Sequence, residues 1–282
     1  MLIESLRLHV IEAGPSDGQP VFLLHGFPEF WYGWRRQIPS LAEAGCRILA
    51  PDQRGYNLSD KPFNLSAYRM DVLARDVIGL MDIFGIQKAS LVGHDWGGAI
   101  AWVTAVLHPE RVEKLAVLNA PYPPVTFQTL LRHPGQLLKS FYMYFFQLPW
   151  LPETVLSNKN WQLMIRGMER SSLPGTFQAA DFERYRQAWA QPGAITGMLN
   201  WYRALFRRPF HLPLSPRLKM PVRLLWGVQD VALGRELAEA SIRLCEDGRL
   251  VYFENASHWL QHEQAEAVNQ HLLDFFNSPA SK

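Results

Sequence analysis

The sequence has little of what marks secreted, membrane-spanning or nucleic-acid-binding proteins. Its only two cysteines, Cys46 and Cys245, lack metal-ligand spacing, which favours a reduced cytoplasmic protein over a disulfide-stapled one. No stretch approaches the roughly 20 apolar residues that span a bilayer, and residues 1–10 lack the apolar run of a signal peptide. The net charge is only +2, which gives no electrostatic reason to expect nucleic acid or an anionic membrane surface as a partner.

The 282 residues are 48% hydrophobic and 19% charged, which is ordinary for a globular protein with one large core. Short apolar segments alternate with segments whose apolar residues recur at helical spacing. This alternation predicts a mostly parallel sheet covered by helices on both faces. The predicted strands are 20–25, 46–50, 89–92, 115–118, 221–226 and 249–253, and the predicted helices are 33–44, 68–84, 99–107 and 265–276.

The alternation stops near Pro121 and resumes only after 213–216. The segment between is dense in aromatic residues, leucine and methionine, and its patterns indicate helices without strands. The sequence therefore predicts an α/β core made of residues 1–121 and 217–282. A helical cap, residues 122–216, is inserted between the two parts of this core.

A serine is missing where a hydrolase of this layout commonly has its nucleophile. The pattern G-x-S-x-G between a strand and a helix is typical of α/β-hydrolases, and here Asp95 stands between Gly93 and Gly97. Serine attacking a saturated carbon would leave a stable ether, whereas aspartate leaves an ester that water cleaves. The glycines favour this interpretation over a helix N-cap. We therefore expect cleavage of a C–O or C–halogen bond through an ester on Asp95.

Two residues after later strands complete a candidate catalytic triad. In α/β-hydrolases the chain order is nucleophile, acid, histidine. Asp230 follows the strand at 221–226, and His258 follows the strand at 249–253. His258 would be the base that activates water, and Asp230 would hold its tautomer and stabilise the imidazolium. Glu254 is the alternative to Asp230.

The loop after the first strand predicts an oxyanion hole. It reads His-Gly-Phe-Pro at 25–28. In this fold one N–H donor comes from such a loop and the other from the residue after the nucleophile. The expected donors are therefore the backbone N–H groups of Phe27 and Trp96. Pro28 has no N–H and fixes the direction of the loop, and a cis bond before it is compatible with the pattern.

At this point the sequence resembles the soluble epoxide hydrolases of the α/β-hydrolase fold. The motifs that carry the resemblance are residues 25–29, 52–56, 93–98, 109–112 and 257–259. The resemblance covers nearly the whole chain and is weakest at 149–178. One departure is Asn57, where the family often has glycine, and asparagine tolerates the left-handed backbone that glycine would supply.

The resemblance implies that two cap tyrosines assist the leaving oxygen. A phenol with a pKa of about 10 remains protonated at neutral pH and donates to a developing alkoxide. The segment 200–203 matches the motif of the second tyrosine and assigns that role to Tyr202. Tyr142 matches the first, and Tyr144 takes its place if the register differs by two residues. The substrate would be a small apolar epoxide with water as co-substrate, and no metal or organic cofactor is expected.

Haloalkane dehalogenases are the main alternative, because they also resemble the chain at Asp95, Trp96, Asp230 and His258. Halide needs N–H donors rather than an acid, and the phenylalanine at position 27 supplies no side-chain N–H. Fluoroacetate dehalogenases carry arginines beside the nucleophile, which are missing here. A noncatalytic binding protein on this fold would lack one or more of the expected catalytic residues, whereas all of them are present here.

The expected pocket walls are Phe27, Trp96, Met198 and Trp259, and the protein is expected to be a monomer or homodimer.

Overall fold

A twisted sheet of parallel strands forms the centre of the molecule. This computed structural model describes residues 1–3, 6–132 and 141–278. Within these residues, seven strands are hydrogen-bonded in the order β3-β5-β4-β6-β7-β8-β9, and only β3 runs antiparallel to its neighbour. The strands are β3 (Val10–Ala13), β4 (Gln19–Leu24), β5 (Cys46–Pro51), β6 (Ala89–His94), β7 (Val112–Leu118), β8 (Val222–Gly227) and β9 (Gly248–Phe253). Two short strands, β1 (Leu2–Ile3) and β2 (Leu6–Arg7), pair separately.

The strands predicted from short apolar segments are all present. Every residue of the central strand β6 is buried, and so are the last four residues of β4. Continuous apolar segments of this kind are typical of parallel strands whose two faces are both covered by helices. Strand β7 begins at Val112, three residues before the predicted start.

The helices that flank the sheet also follow the prediction, with shifted ends. They are α1 (Ile38–Glu43), α2 (Met70–Ile83), α3 (Trp96–Leu107), α9 (Arg235–Ile242), α10 (Leu260–Glu263) and α11 (Ala265–Asn277). The single helix predicted at 33–44 is wrong in detail, since a 3₁₀ turn, Trp31–Trp34, precedes α1. Gly85 has a φ of 68° after α2, as a helix-ending glycine should.

Between β7 and β8, the regular elements that the structure describes are all helices. These are α4 (Pro123–Arg132), α5 (Phe141–Phe145), α6 (Leu151–Ser171), α7 (Ala179–Trp189) and α8 (Ala194–Arg207). Helix α6 is interrupted at residues 158–161, where three residues have positive φ. The predicted α/β-hydrolase fold with inserted helices is confirmed, while the boundaries at 122 and 216 stay a prediction. Residues 133–140, within the predicted cap, lie outside the described residues.

The inserted helices lie against loops at the carboxyl ends of the strands. Trp201 of α8 donates its indole N–H to the carbonyl of Arg54 at 2.9 Å. A Cβ built on Gly197 would lie 2.5 Å from the carbonyl oxygen of Gly55, so only glycine permits this approach. The space between the helices and the strand ends is therefore where side chains from both parts meet. Among the residues described, no helix is both long and apolar enough to cross a membrane.

Candidate active site

The turn between β6 and α3 holds Asp95 in a strained backbone conformation. Its φ is 51° and its ψ is −121°, a region that residues with a Cβ rarely adopt. A Cβ on Gly93 would lie 2.4 Å from the carbonyl oxygen of Gly97. A Cβ on Gly97 would lie 2.1 Å from the carbonyl oxygen of Leu24. The two glycines are thus needed for helix, strand and turn to pack together, as the motif predicts.

The two carboxylate oxygens of Asp95 have different neighbours. Oδ1 accepts a hydrogen bond from the backbone N–H of Phe27 at 2.9 Å. Oδ2 lies 3.6 Å from Nε2 of His258. Trp96 is the first residue of α3, and the N–H groups of a first helical turn have no partner within their helix. Of the two predicted oxyanion-hole residues, Phe27 therefore donates to the carboxylate, and Trp96 follows Asp95 directly in the chain. The Phe27–Pro28 peptide bond is cis.

Asp230 and His258 form the pair that their chain order predicts. Nδ1 of His258 lies 2.7 Å from Oδ2 of Asp230. Oδ1 of Asp230 accepts the backbone N–H groups of Ala232 and Leu233 at 2.8 and 2.9 Å. The reserve candidate, Glu254, is instead paired with an exposed arginine away from this contact.

Asn119 is a contact that the sequence analysis missed. It follows β7 with a φ of 42°, and its side-chain N–H donates to Oδ2 of Asp230 at 2.8 Å. Its side chain also exchanges two hydrogen bonds with the backbone of Gly227. Asn119 thus fixes the loop that presents Asp230, but no local motif marks it, because the contact depends on β7 lying beside β8.

His258 is poised between two carboxylates. Its burial opposes a positive charge, but the charge and hydrogen bond of Asp230, together with the charge of Asp95, raise the pKa of His258 to about 9. For Asp230, burial would raise the pKa, but His258 and the N–H donors lower it below the usual value. Opposite charges within a few ångströms favour each other's ionised forms. In the free protein at neutral pH, the imidazole is therefore protonated.

A buried polar network lies behind His258 and includes residues that the sequence analysis did not single out. Nε2 of His94 lies 2.9 Å from the backbone carbonyl of His258, and its Nδ1 lies 3.1 Å from the side-chain amide of Gln261. Glu29 joins the network through Gln261 at 3.1 Å, His262 at 2.8 Å and the hydroxyl of Tyr185 at 2.6 Å. The network thus contacts His258 through its backbone carbonyl. The one sequence feature that pointed to this network is Glu29, an acidic residue directly after the His-Gly-Phe-Pro motif.

Two tyrosines of the inserted helices face Asp95 across the same space. The rings of Tyr142 and Tyr202 lie 5.9 Å apart, and both residues line two cavities that also contain Asp95. Loss of contact with water raises the pKa of both phenols well above the usual value, so both stay protonated at neutral pH. Tyr142 and Tyr144 are similarly exposed, at 41% and 48%, but Tyr144 packs against Phe206 at 5.8 Å and lines neither cavity. The structure therefore brings Tyr142 rather than Tyr144 to this site.

The two cavities meet at Asp95 and differ in size. The larger has a volume of about 420 Å³ and the smaller about 100 Å³. Phe27 and Trp259 line the larger and Trp96 the smaller, as expected of pocket walls. Met198 was expected there too but lines neither. It is 1% exposed, because α8 packs tightly beside it where Gly197 meets Gly55.

Apart from the catalytic candidates and Ser171, the large cavity is lined mainly by hydrophobic side chains. They include Phe145, Phe146, Leu156, Leu163, Met164 and Met168. Within the described ranges, no three histidine, cysteine, aspartate or glutamate side chains are grouped so as to hold a metal ion. The arrangement therefore places the Asp95 carboxylate, a histidine paired with a second carboxylate, and two phenols around a mostly apolar space.

Comparison with known proteins agrees with this geometry. The family model described as alpha/beta hydrolase fold matches residues 19–265. The chain is 47% identical to the AB hydrolase superfamily protein YfhM of Bacillus subtilis (strain 168), over 97% of this chain and 95% of that protein. It is 40% identical to Epoxide hydrolase 4 of Homo sapiens, over 98% of this chain and 77% of that protein. The crystal structure of Bacillus megaterium epoxide hydrolase with an inhibitor superposes with a TM-score of 0.89 at 32% identity, covering 99% of both chains. The chain therefore belongs to the alpha/beta hydrolase family and, within it, to the epoxide hydrolases.

Proposed function

We propose that this protein converts an apolar epoxide to a vicinal diol through a covalent ester on Asp95. The observation that carries the proposal is the convergence of Asp95 with the phenols of Tyr142 and Tyr202 on shared cavity walls. A carboxylate on one side and two proton donors on the other fit a strained three-membered ether. One end of the C–O bond receives the nucleophile, and the oxygen receives a proton.

In the first step, the epoxide oxygen accepts hydrogen bonds from Tyr142 and Tyr202. A carboxylate oxygen of Asp95 attacks one ring carbon from the opposite side, so that a C–O bond to Asp95 forms as the ring C–O bond breaks. The departing alkoxide takes a proton from a phenol. The raised pKa values of both tyrosines keep that proton available throughout the neutral range.

In the second step, His258 removes a proton from water and the water attacks the ester carbonyl. The oxyanion that forms is stabilised by the backbone N–H of Phe27 and that of Trp96. Alkylation neutralises Asp95, which is one of the charges that raise the pKa of His258. The imidazolium therefore loses its proton more readily once the ester has formed, and that proton restores the phenol that was deprotonated in the first step. After neutral His258 has taken one proton from water, collapse passes the other water proton to the leaving oxygen of the diol, restores the carboxylate and leaves His258 protonated as at the start.

The unequal cavities support a substrate with unequal substituents. The space beside Phe27 and Trp259 is larger than the space beside Trp96. An epoxide with one bulky aryl or alkyl group and one small group would occupy both while keeping its ring at Asp95. Burial of that apolar group supplies the binding energy, at roughly 25 cal/mol per Å².

The surroundings of Trp96 speak against dehalogenation. Halide stabilisation needs free N–H donors in an otherwise apolar site. The Trp96 side chain lies against Tyr202, and this contact moderates the raised pKa of that phenol. The ring centroids of the two residues lie 5.0 Å apart and nearly perpendicular. The indole is therefore packed on a phenol, and two phenols suit an alkoxide leaving group better than a halide.

The proposal is tested by incubating the purified protein with styrene oxide and, separately, with 1-bromobutane. We expect phenylethane diol from the first and no bromide from the second. The His258→Gln variant should react with styrene oxide once and stop, and its intact mass should rise by one epoxide. The Asp95→Ala variant is the control and should show no increase in mass.

Two results would contradict the proposal. Bromide release without diol would agree with an ester on Asp95 but would show that the leaving group is a halide and not an epoxide oxygen. Sustained diol formation by folded His258→Gln would remove His258 from the role of base.

A further inference from the structure

The guanidinium of Arg203 lies inside the inserted helices, directly after Tyr202 in α8. It is 7% exposed. It forms a two-pronged ion pair with Glu153 of α6, at 2.6 and 2.9 Å. It also donates to the backbone carbonyls of Phe146 at 3.0 Å and Leu148 at 2.8 Å. One buried cation thus joins α8, α6 and the segment that leaves α5.

The carbonyls that Arg203 binds belong to the segment directly after α5, the helix that carries Tyr142. The backbone N–H of Phe146 donates to the carbonyl of Tyr142 at 3.0 Å, so one residue separates the guanidinium from the tyrosine backbone. The side-chain amide of Gln147 donates in return to the carbonyl of Tyr202 at 3.1 Å. Arg207, one turn further along α8, donates to the carbonyl of Gln147. Three successive carbonyls after α5 are therefore bound by α8 side chains.

Helix α5 needs these contacts to hold its position. It has five residues, far fewer than the roughly 12 to 15 that an isolated helix needs to be even marginally stable in water. The last carbonyls of a helix have no partner within it and carry a partial negative charge. Arg203 places a positive charge at this end of α5 and binds the carbonyls of Phe146 and Leu148, whose backbone N–H groups cap the carbonyls of Tyr142 and Phe145. Glu153 balances that cation, and its own pKa, which burial would raise, is held below the usual value by Arg203.

We propose that the pair of Arg203 and Glu153 sets the separation of the phenols of Tyr142 and Tyr202 and thereby the rate at which Asp95 is alkylated. This inference rests on the proposed epoxide chemistry. Neither Arg203 nor Glu153 lines either cavity, so both act through the tyrosines as positioning residues. The two phenols must reach a single oxygen atom, and a displacement of about 1 Å in such a constellation costs about 10²-fold in rate.

The test separates the two chemical steps. In Glu153→Gln and Arg203→Lys, we expect the single-turnover rate of alkylation by styrene oxide to fall about 10- to 100-fold. The rate of ester hydrolysis should stay within about twofold, because it depends on groups held by the sheet. Styrene oxide affinity, measured by binding to the unreactive Asp95→Ala background, should change little. An epoxide with a trifluoromethyl group, whose alkoxide is more stable, should lose less rate.

A matched control is Asp76→Asn. Asp76 forms a two-pronged ion pair with Arg54 of similar burial, at 2.8 and 2.6 Å, but it joins α2 to the loop after β5, and Arg54 meets α8 through its backbone carbonyl and not through this pair. It should lower thermal stability comparably while leaving the alkylation rate near that of the wild type. Equal slowing of alkylation in this control and in Glu153→Gln would overturn the proposal. So would parallel loss of both chemical steps in Glu153→Gln.

Backbone hydrogen exchange gives a result that does not depend on turnover. In Glu153→Gln, the segment 142–148 should exchange faster, while the segment around Asp95 should not. Unchanged exchange at 142–148 would overturn the positioning role whatever the enzyme does to epoxides. Failure of the wild type to form any ester would instead refute the proposed function. The exchange result would then test only whether Arg203 and Glu153 hold the segment 142–148 in place.

Discussion

The proposed nucleophilic side of the site, with Asp95 and its triad partners, and the proposed acid side, with the two tyrosines, are held in different ways. Asp95 and Asp230 sit on loops directly after sheet strands, and backbone N–H groups bind both carboxylates. Tyr142 and Tyr202 sit on helices that are joined to each other mainly by side chains, above all by Arg203. The sheet fixes the first pair through the register of many strands. The second pair depends on a few replaceable contacts.

The difference teaches where each property of the enzyme is encoded. Backbone turns at strand ends tolerate little change, since glycine is needed at 93 and 97 to avoid clashes with neighbouring backbone. The apolar walls of the larger cavity come mostly from the inserted helices, for example Leu156 and Met164. Changes there alter the space offered to the substrate and leave the carboxylates in place. We therefore expect the attack chemistry to be constant and substrate choice to be adjustable.

Among the variants that test this comparison, removal of the nucleophile should cause the largest loss of activity. Asp95→Ala should lower diol formation by at least about 10⁴-fold, because no other group can form the ester and triad residues act as a unit. Diol release is measured by chromatography, and a circular dichroism spectrum checks the fold. Residual turnover above one hundredth of the wild-type rate would show that Asp95 is not the nucleophile.

Removing the phenols should have an intermediate effect. Tyr202→Phe and Tyr142→Phe should each slow alkylation by about 10-fold or more, and the double variant by about 10²- to 10⁴-fold, because general acid assistance contributes in that range. Stopped-flow tryptophan fluorescence follows the step. Tyr144→Phe is the matched control and should match the wild type, since its side chain packs on Phe206 outside the cavities. A defect in Tyr144→Phe as large as that in Tyr142→Phe would reverse the assignment.

The smallest effect is a shift in the pKa of His258. In the wild type, the imidazolium should persist until the pH rises through about 9, because Asp230 and Asp95 oppose the effect of burial. Asp95→Ala removes one carboxylate and should lower this pKa, as alkylation does. An NMR titration of the imidazole ring measures both values. Ester hydrolysis should accordingly increase with pH to a plateau whose midpoint lies below 9, and an unchanged pKa in Asp95→Ala would contradict the coupling of the two steps.

The nucleophilic side was the more predictable from sequence, for physical reasons. Asp95 lies in a turn whose glycines are required locally, so its motif carries the geometry with it. His258 and Asp230 follow recognisable strands, and parallel strands bring their carboxyl ends to one edge of the sheet. The sheet, its flanking helices and the helical insertion could be predicted for the same reason, since burial on both faces leaves continuous apolar segments.

The acid side was less predictable because it depends on packing between helices. The choice between Tyr142 and Tyr144 depends on how α5 is rotated against α8, and a five-residue helix has no periodic pattern to reveal it. Met198 was expected in the pocket, but the close approach at Gly55 buries it elsewhere. Asn119 lacked any signal, since only the pairing of β7 with β8 brings it to Asp230.

The hydrogen bond from Phe27 to Oδ1 has a consequence for the identity of individual atoms. It makes two chemically equal oxygens unequal, since Oδ1 is held by the backbone while Oδ2 faces His258. If Oδ2 forms the ester, it departs in the diol, and the oxygen of the attacking water replaces it in the carboxylate. Each cycle would then exchange one protein atom for one solvent atom. After each turnover, one carboxylate oxygen of Asp95 would come from the water consumed in that turnover, so its isotopic composition would report catalysis.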